Sequence, residues 1–486
     1  MPAHTLPAQR LAQSLLGLGF LLHATVGALH GLSVDEAHYL LYALHPALSY
    51  FDHPPMVAYF IWASTLGSKS ELWVRLSGSL VLLAASVMMW RLALQLFKSE
   101  AVAAGSVILF NLYPLTMLGL IVMTPDVPVL FFWCLGVYLF WQVLESGQAW
   151  RWYPLGLVFG LGLMSKYTAV LMAPCFLLYL LLTDERRWLK TMHPYLALLL
   201  GMAVFAPVVW WNSQNDWVSF RWQLHHGLGG NALDALNVAE YAAGQLLLTG
   251  PLVWLLGMVA AGVALVRKDK AMLFVVCTSV PVIGFFALTS LRNVSGANWP
   301  AFAYFSFSIL VSKYCLDGYS LLRRGLWSVA LAMTLGMAMT ATLHARFSVL
   351  PLERWSAPMA TADATNWFYG WRELGEELKK HPDYLRAVSP SHQLSADIIY
   401  YTDANVSAQT AQSARPSQFN LLDVAHHPRS HDRLFVWTDA DFPEYGALAP
   451  AAARRSGQFN TYRGGNLVRS YFISAGQAPV VPVSLD

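Results

Sequence analysis

The chain has 486 residues, of which 56% are hydrophobic and only 12% charged, against roughly a quarter charged in ordinary soluble domains. The average residue therefore cannot face water, and the composition excludes a soluble globular protein in favour of an integral membrane protein. A net charge of +3 spread over this length points to no nucleic-acid partner.

A bilayer crossing needs roughly 20 apolar residues. Runs of that kind are predicted near 11 to 30, 72 to 96, 101 to 123, 127 to 144, 150 to 165, 167 to 183, 193 to 211, 241 to 266, 271 to 291, 300 to 316 and 326 to 343, about eleven spans in all. The first run is followed by many more, so it reads as a retained signal anchor. Cys134, Cys175, Cys277 and Cys315 all lie inside apolar runs with no CxxC spacing, which argues against disulfides and a cysteine metal site.

Alternate loops carry the cations: Arg10, Lys98, Arg151, the group Arg186, Arg187 and Lys190, the group Arg267, Lys268 and Lys270, and the pair Arg323 and Arg324. The positive-inside rule puts these in the cytoplasm. It then turns the loops 31 to 71, 124 to 126, 212 to 240 and 292 to 299 outward, with everything after about residue 344. From that point hydrophobicity falls. RLFVWT (433 to 438) and NLVRSYFIS (466 to 474) read as strands, and WRELGEELKKH (371 to 381) has the helical spacing of Leu374 and Leu378. The predicted architecture is a polytopic α-helical membrane domain, residues 1–343, followed by a small extracytoplasmic α/β domain, residues 344–486.

The outward loops hold the candidate chemistry. In GLSVDEAHYLLYALHPALSYFDHPPM (31 to 56), Asp35 and Glu36 follow the first apolar segment closely. Charge so near a span marks function, although two acids at the start of the helix AHYLLYAL equally suit an N-terminal cap. Asp52 and His53 precede a Pro pair that forces an extended turn; they can bind a metal or phosphate, or simply form the turn. Asp126, in TPD, is a cap or a second carboxylate of a site. Lys166, in MSKYT, is nearly alone between apolar runs, either snorkelling to the interface or binding an anion such as phosphate. WVSFRWQLHHGLGG (217 to 230) sets Arg221, His225 and His226 among aromatic residues, and RNVSGANWP (292 to 300) supplies Arg292 and Asn298. Asp52 with His53, or with His225 or His226 from the later loop, offers the oxygen and imidazole ligands that suit zinc, so a divalent metal is the candidate cofactor.

Taken in order, DEAHYL, YFDHPPM, TPDVP, GLMSKYTAVL, the FRWQLHH loop and GANWP, spread over roughly residues 30 to 300, resemble the polyprenyl-phosphate-dependent glycosyltransferases of the C superfamily. The resemblance is to the bacterial members of glycosyltransferase family 39, among them protein O-mannosyltransferases and lipid A aminoarabinose transferases. It implies that Asp35 is the catalytic base with Glu36 as its paired acid. In the aminoarabinose transferases the second motif resembles YFEKPP, whose glutamate contributes to a metal site and whose lysine approaches the lipid phosphate. Here Asp52 and His53 hold those positions, so Lys166, Arg221 and Arg292 become the permanent cations expected to meet phosphate.

Transfer of a sugar from a lipid phosphate needs a base for the acceptor hydroxyl and cations for the departing phosphate. The expected function is therefore transfer, with inversion, from a polyprenyl-phosphate-linked sugar to a lipid, glycan or protein acceptor on the outer side of the cytoplasmic (inner) membrane. A transporter or lipid flippase is the rival from another class, and a non-catalytic subunit keeping the fold is a third. Against the transporter, the charges gather toward one side and no inverted repeat is visible.

Overall fold

The computed structural model describes residues 6–229, 233–356, 363–380, 386–403, 406–410, 416–421, 433–438 and 457–476. Packing divides the chain into two compact units. The first comprises Met1–Gly27, Pro46–Ser49 and His53–Thr342; the second comprises Ala28–His45, Tyr50–Asp52 and Leu343–Asp486.

The first unit is helical. Among the described residues, six helices are long and apolar enough to cross a bilayer: Arg10–Leu29, Glu71–Phe97, Asp126–Ser146, His193–Gln214, Lys270–Thr289 and Leu321–Phe347, the last continuing into the second unit. These coincide with six of the expected runs. The remaining runs form shorter or bent segments, including Glu100–Leu112, Trp152–Leu163, Tyr167–Leu182 and Ala301–Leu316. The run at 241 to 266 departs from expectation: it is two helices, Ala235–Thr249 and Pro251–Arg267, bent by 103°. The break has a local cause. Gly250 sits at φ 98°, where a side chain would be strained, and Pro251 starts the next helix at a position whose N–H has no intrahelical partner to lose.

Long apolar side chains such as Leu199, Met202, Leu335 and Met339 stay exposed on these helices, as a lipid-facing surface requires. Polar groups inside the bundle are tied together instead. The buried pair His23 Nε2 and Asn111 Oδ1 is separated by 3.0 Å, and the Asn111 amide donates to Ser86 Oγ at 2.9 Å, linking three helices. Gly156 and Gly160 lie against Ala197 and Gly201 of the neighbouring helix with no room for a side chain, the close approach that small residues four apart permit. All four cysteines are free and buried.

The second unit has a five-stranded mixed sheet in the order β2-β1-β3-β5-β4. Its strands are β1 (Arg386–Ser389), β2 (Ser407–Thr410), β3 (Arg433–Thr438), β4 (Gly457–Arg463) and β5 (Asn466–Gly476). β1 pairs in parallel with both β2 and β3, while β5 runs antiparallel to β3 and β4. Both strand-like segments seen in the sequence fall on β3 and β5, and the 371 to 381 pattern forms the helix Trp371–Leu378. Leu374 and Leu378 of that helix pack with Trp371, Ile398, Leu434, Val436 and Tyr471 in the core.

Two helices of this unit pack together: α1 is Val34–Leu44 and α2 is His392–Tyr401. Ala37 and Leu41 of α1 bury against Ala396 of α2 and Phe419. The first loop, read from sequence with the membrane domain, therefore packs in part with the C-terminal residues. Since α2 connects the parallel strands β1 and β2, its first turn follows the carboxyl end of β1, the position where α/β folds place ligand-binding groups.

Candidate active site

The acid pair is split by the start of α1. Ser33 is the N-cap; its hydroxyl accepts from Glu36 N–H at 3.4 Å, and the Glu36 carboxylate accepts from Ser33 N–H at 2.9 Å. This capping box occupies Glu36, which is fully buried. Asp35, one residue earlier, takes no part in the cap and keeps part of its surface exposed. Of the pair, Glu36 caps the helix and Asp35 turns to α2.

There the Gln393 amide donates to Asp35 Oδ1 at 3.3 Å. Burial pushes the Asp35 carboxyl above its ordinary value; the Gln393 bond and the nearby His38 oppose this, while Asp52 and Glu36 add to it. An acid so raised is a better proton acceptor when ionised than an ordinary surface aspartate. One turn along α2 from Gln393, Asp397 is buried, and among the described residues neither of its oxygens takes a hydrogen bond. Desolvation raises it well above the carboxylate range; Arg469 pulls the other way, and Asp35 and Glu36 add their repulsion.

A folded-state value above the unfolded one means that Asp397 favours the folded form most at low pH, and that this contribution is lost as pH rises from the unfolded value toward the folded one. Asp397→Asn, which mimics the neutral acid, should therefore match the parent in thermal unfolding near about pH 4 and exceed it near about pH 8. Equal melting of the two proteins at both values would show that Asp397 is not held neutral.

Asp52 lies in a buried polar chain. Tyr42 donates to Asp52 Oδ1 at 2.6 Å, and His38 Nε2 meets the Tyr42 hydroxyl at 2.8 Å. Burial, then the Asp52 charge, pushes the Tyr42 phenol well up, so it stays protonated as the donor. His38 must then carry its proton on Nε2, which leaves Nδ1 as a buried lone pair without a hydrogen bond among the described residues. One ligand atom each from His38, Asp52 and His392 lies within 4.8 Å of the others, all three residues being buried. Two imidazoles and a carboxylate are a donor set that suits a divalent cation such as zinc. His225 is not in this group. It is exposed on the helix Val218–Leu228, and the side chain of His226 lies outside the described residues.

In the helical unit, Lys166 Nζ is 2.7 Å from Asp126 Oδ1, and the Asn298 amide donates to Asp126 Oδ2 at 2.9 Å. Lys166 Nζ is also 5.9 Å from the centre of the Trp299 ring. The TPD, MSKYT and GANWP motifs thus converge at the start of helix Asp126–Ser146. The lysine is held by a carboxylate that is itself fixed from a third loop. Arg221 and Arg292 are exposed and His53 is half-buried. Sequence reading missed His38, although it sits one helical turn after Asp35, and it missed His392, Gln393 and Asp397, which nothing local in SHQLSAD distinguished.

Residues 52–211 match the dolichyl-phosphate-mannose-protein mannosyltransferase family. The lipid A galacturonosyltransferase RgtD of Rhizobium johnstonii is 27% identical over 285 residues, covering 57% of this chain and 59% of that protein, so the chain spans little more than half the length of that curated relative. Among solved structures, ArnT from Cupriavidus metallidurans bound to undecaprenyl phosphate superposes with a TM-score of 0.66 at 12% identity, covering 94% of this chain and 97% of that one. Its apo state gives a TM-score of 0.66 over 96% and 98%. With multiple apolar helices, a small C-terminal mixed sheet and this superposition over nearly its whole length, the chain shares the fold of ArnT.

Proposed function

We propose that the protein transfers a sugar from an undecaprenyl-phosphate-type donor to a lipid acceptor of the lipid A class, at the outer face of the inner membrane. The observation that carries this reading is the state of Asp35: a partly exposed residue whose carboxyl is raised by burial, contacted by one amide and outside the adjacent helix cap. The similarity to a lipid A galacturonosyltransferase and the superposition on a protein holding undecaprenyl phosphate support the choice of acceptor and donor.

On this reading the acceptor hydroxyl oxygen attacks the anomeric carbon as its proton passes to Asp35. The bond from that carbon to the phosphate oxygen breaks, and the electron pair leaves on the polyprenyl phosphate, inverting the centre. Lys166, Arg221 and Arg292 are the permanent cations whose chemistry suits such a phosphate, with His53 as a further candidate. Asp126 and Asn298 hold Lys166 in place. A divalent cation held by His38, Asp52 and His392 would fix the turn at Asp52 and add positive charge beside the acid cluster.

The test is transfer by purified protein in lipid nanodiscs, supplied with undecaprenyl-phosphate-linked galacturonic acid or aminoarabinose and with lipid A, and read by mass spectrometry of the lipid product. Labelled polysaccharide or protein in place of lipid A would redirect the acceptor. Movement of donor across the bilayer with no new glycosidic product would replace the enzyme with a transporter. Metal analysis of the same preparation should find a bound divalent ion that His392→Ala loses.

A further inference from the structure

Asp35 and Gln393 are separated by 358 positions in sequence, yet each stands in the first turn of its helix, and the two helices bury Ala37, Leu41 and Ala396 between them. Both N-termini carry partial positive charge that favours an anion placed there. Ser391 caps α2 by accepting from Leu394 N–H at 3.1 Å, which fixes the direction in which the next residues project. Because an ionised carboxylate only accepts, the Gln393 contact at 3.3 Å must be made by its NH₂ group, and this settles the amide's orientation. The bond engages Oδ1 alone. Among the described residues Oδ2 takes no hydrogen bond, and Asp35 keeps part of its surface accessible.

We propose that Gln393 is the positioning residue of the catalytic carboxylate: by holding Oδ1 it fixes the rotation of the Asp35 side chain and leaves Oδ2 as the oxygen that takes the acceptor's proton. The inference rests on Asp35 being the base. A freely rotating carboxylate would present either oxygen at varied angles, and misplacement of a reacting group by about an ångström can cost a large factor in rate. Gln393 also donates to the charged form, so it limits how far burial raises Asp35. The C-terminal domain then contributes to the reaction through the first turn of α2, where His392 joins the candidate metal ligands and Gln393 orients the base.

The experiment is the pH dependence of kcat and of donor KM for the parent, Gln393→Met, Gln393→Glu and Asp35→Asn, with undecaprenyl-phosphate-linked galacturonic acid as donor and lipid A as acceptor. A base must be ionised, so activity rises with pH through its pKa on the acid limb. Gln393→Met keeps the volume and removes the donor; the acid limb should move upward by about half to one pH unit, with kcat reduced at the plateau and donor KM unchanged. Gln393→Glu sets a further negative charge against Asp35 and should move the limb further in the same direction; it also provides the test if the methionine variant fails to fold. A purely structural Gln393 would lower the amount of active protein and leave the limb where it is, and that result in both variants overturns the proposal. Asp35→Asn separates the two readings: retained transfer there removes the base itself, whereas lost transfer with an unmoved limb in the Gln393 variants removes only its positioning.

Discussion

Asp35→Asn should insert, fold and bind donor, yet lose nearly all transfer. A positioned general base contributes roughly 10²- to 10⁴-fold, and an amide of the same shape cannot take the proton. The fold has little reason to suffer. The cap of α1 belongs to Ser33 and Glu36, and removing a charge that burial disfavours relieves strain on the folded state. Glu36→Ala should behave in the opposite way, with modest effect on catalysis and a loss of stability of about 1–3 kcal/mol, because Ser33 N–H is left buried without its acceptor. Stopped-point assays of sugar transfer beside thermal unfolding would separate the two. Transfer by Asp35→Asn at near the parent rate would return Asp35 to a structural role and direct attention to Asp126.

Lys166→Ala should weaken donor use by about one to two orders of magnitude, since charge-assisted contacts to phosphate are worth roughly 1.5 to 3 kcal/mol each. The structure adds a complication that decides how the experiment is built. Asp126 is 6% exposed in its side chain and loses its counter-ion in this variant, and an uncompensated buried charge costs about 3–5 kcal/mol. A drop in activity by itself would then confuse lost phosphate binding with a damaged loop. The double variant Asp126→Asn with Lys166→Met removes both charges and retains an amide within reach of Asn298. It should recover the thermal stability of the parent while still showing a raised KM for undecaprenyl-phosphate-linked galacturonic acid. If the double variant recovers donor KM as well, Lys166 is only the partner of Asp126 and the phosphate is held by other cations.

Much of this protein is set by properties that a chain displays locally. Apolar length and cation-bearing loops laid out the multi-span region, because in lipid each helix must satisfy its own backbone and the pattern needs no knowledge of neighbours. The S-x-x-E pattern of Ser33 and Glu36 contains its own cap, and the short apolar stretches at β3 and β5 are rich in residues that favour strands. Even the break at Gly250–Pro251 is local chemistry, overlooked because hydropathy averages over it. The site is a different matter. Asp126 meets Lys166 across 40 positions and Asn298 across 172, Asp35 meets Gln393 across 358, and His38 meets Asp52 and His392 only once α1 lies on α2. A side chain's partner over such separations depends on which apolar faces bury together, and no periodicity in the chain encodes that. The sequence therefore determined which acids and cations were available and that Glu36 closes a helix, whereas tertiary packing alone set Asp35 against Gln393 and Lys166 against Asp126.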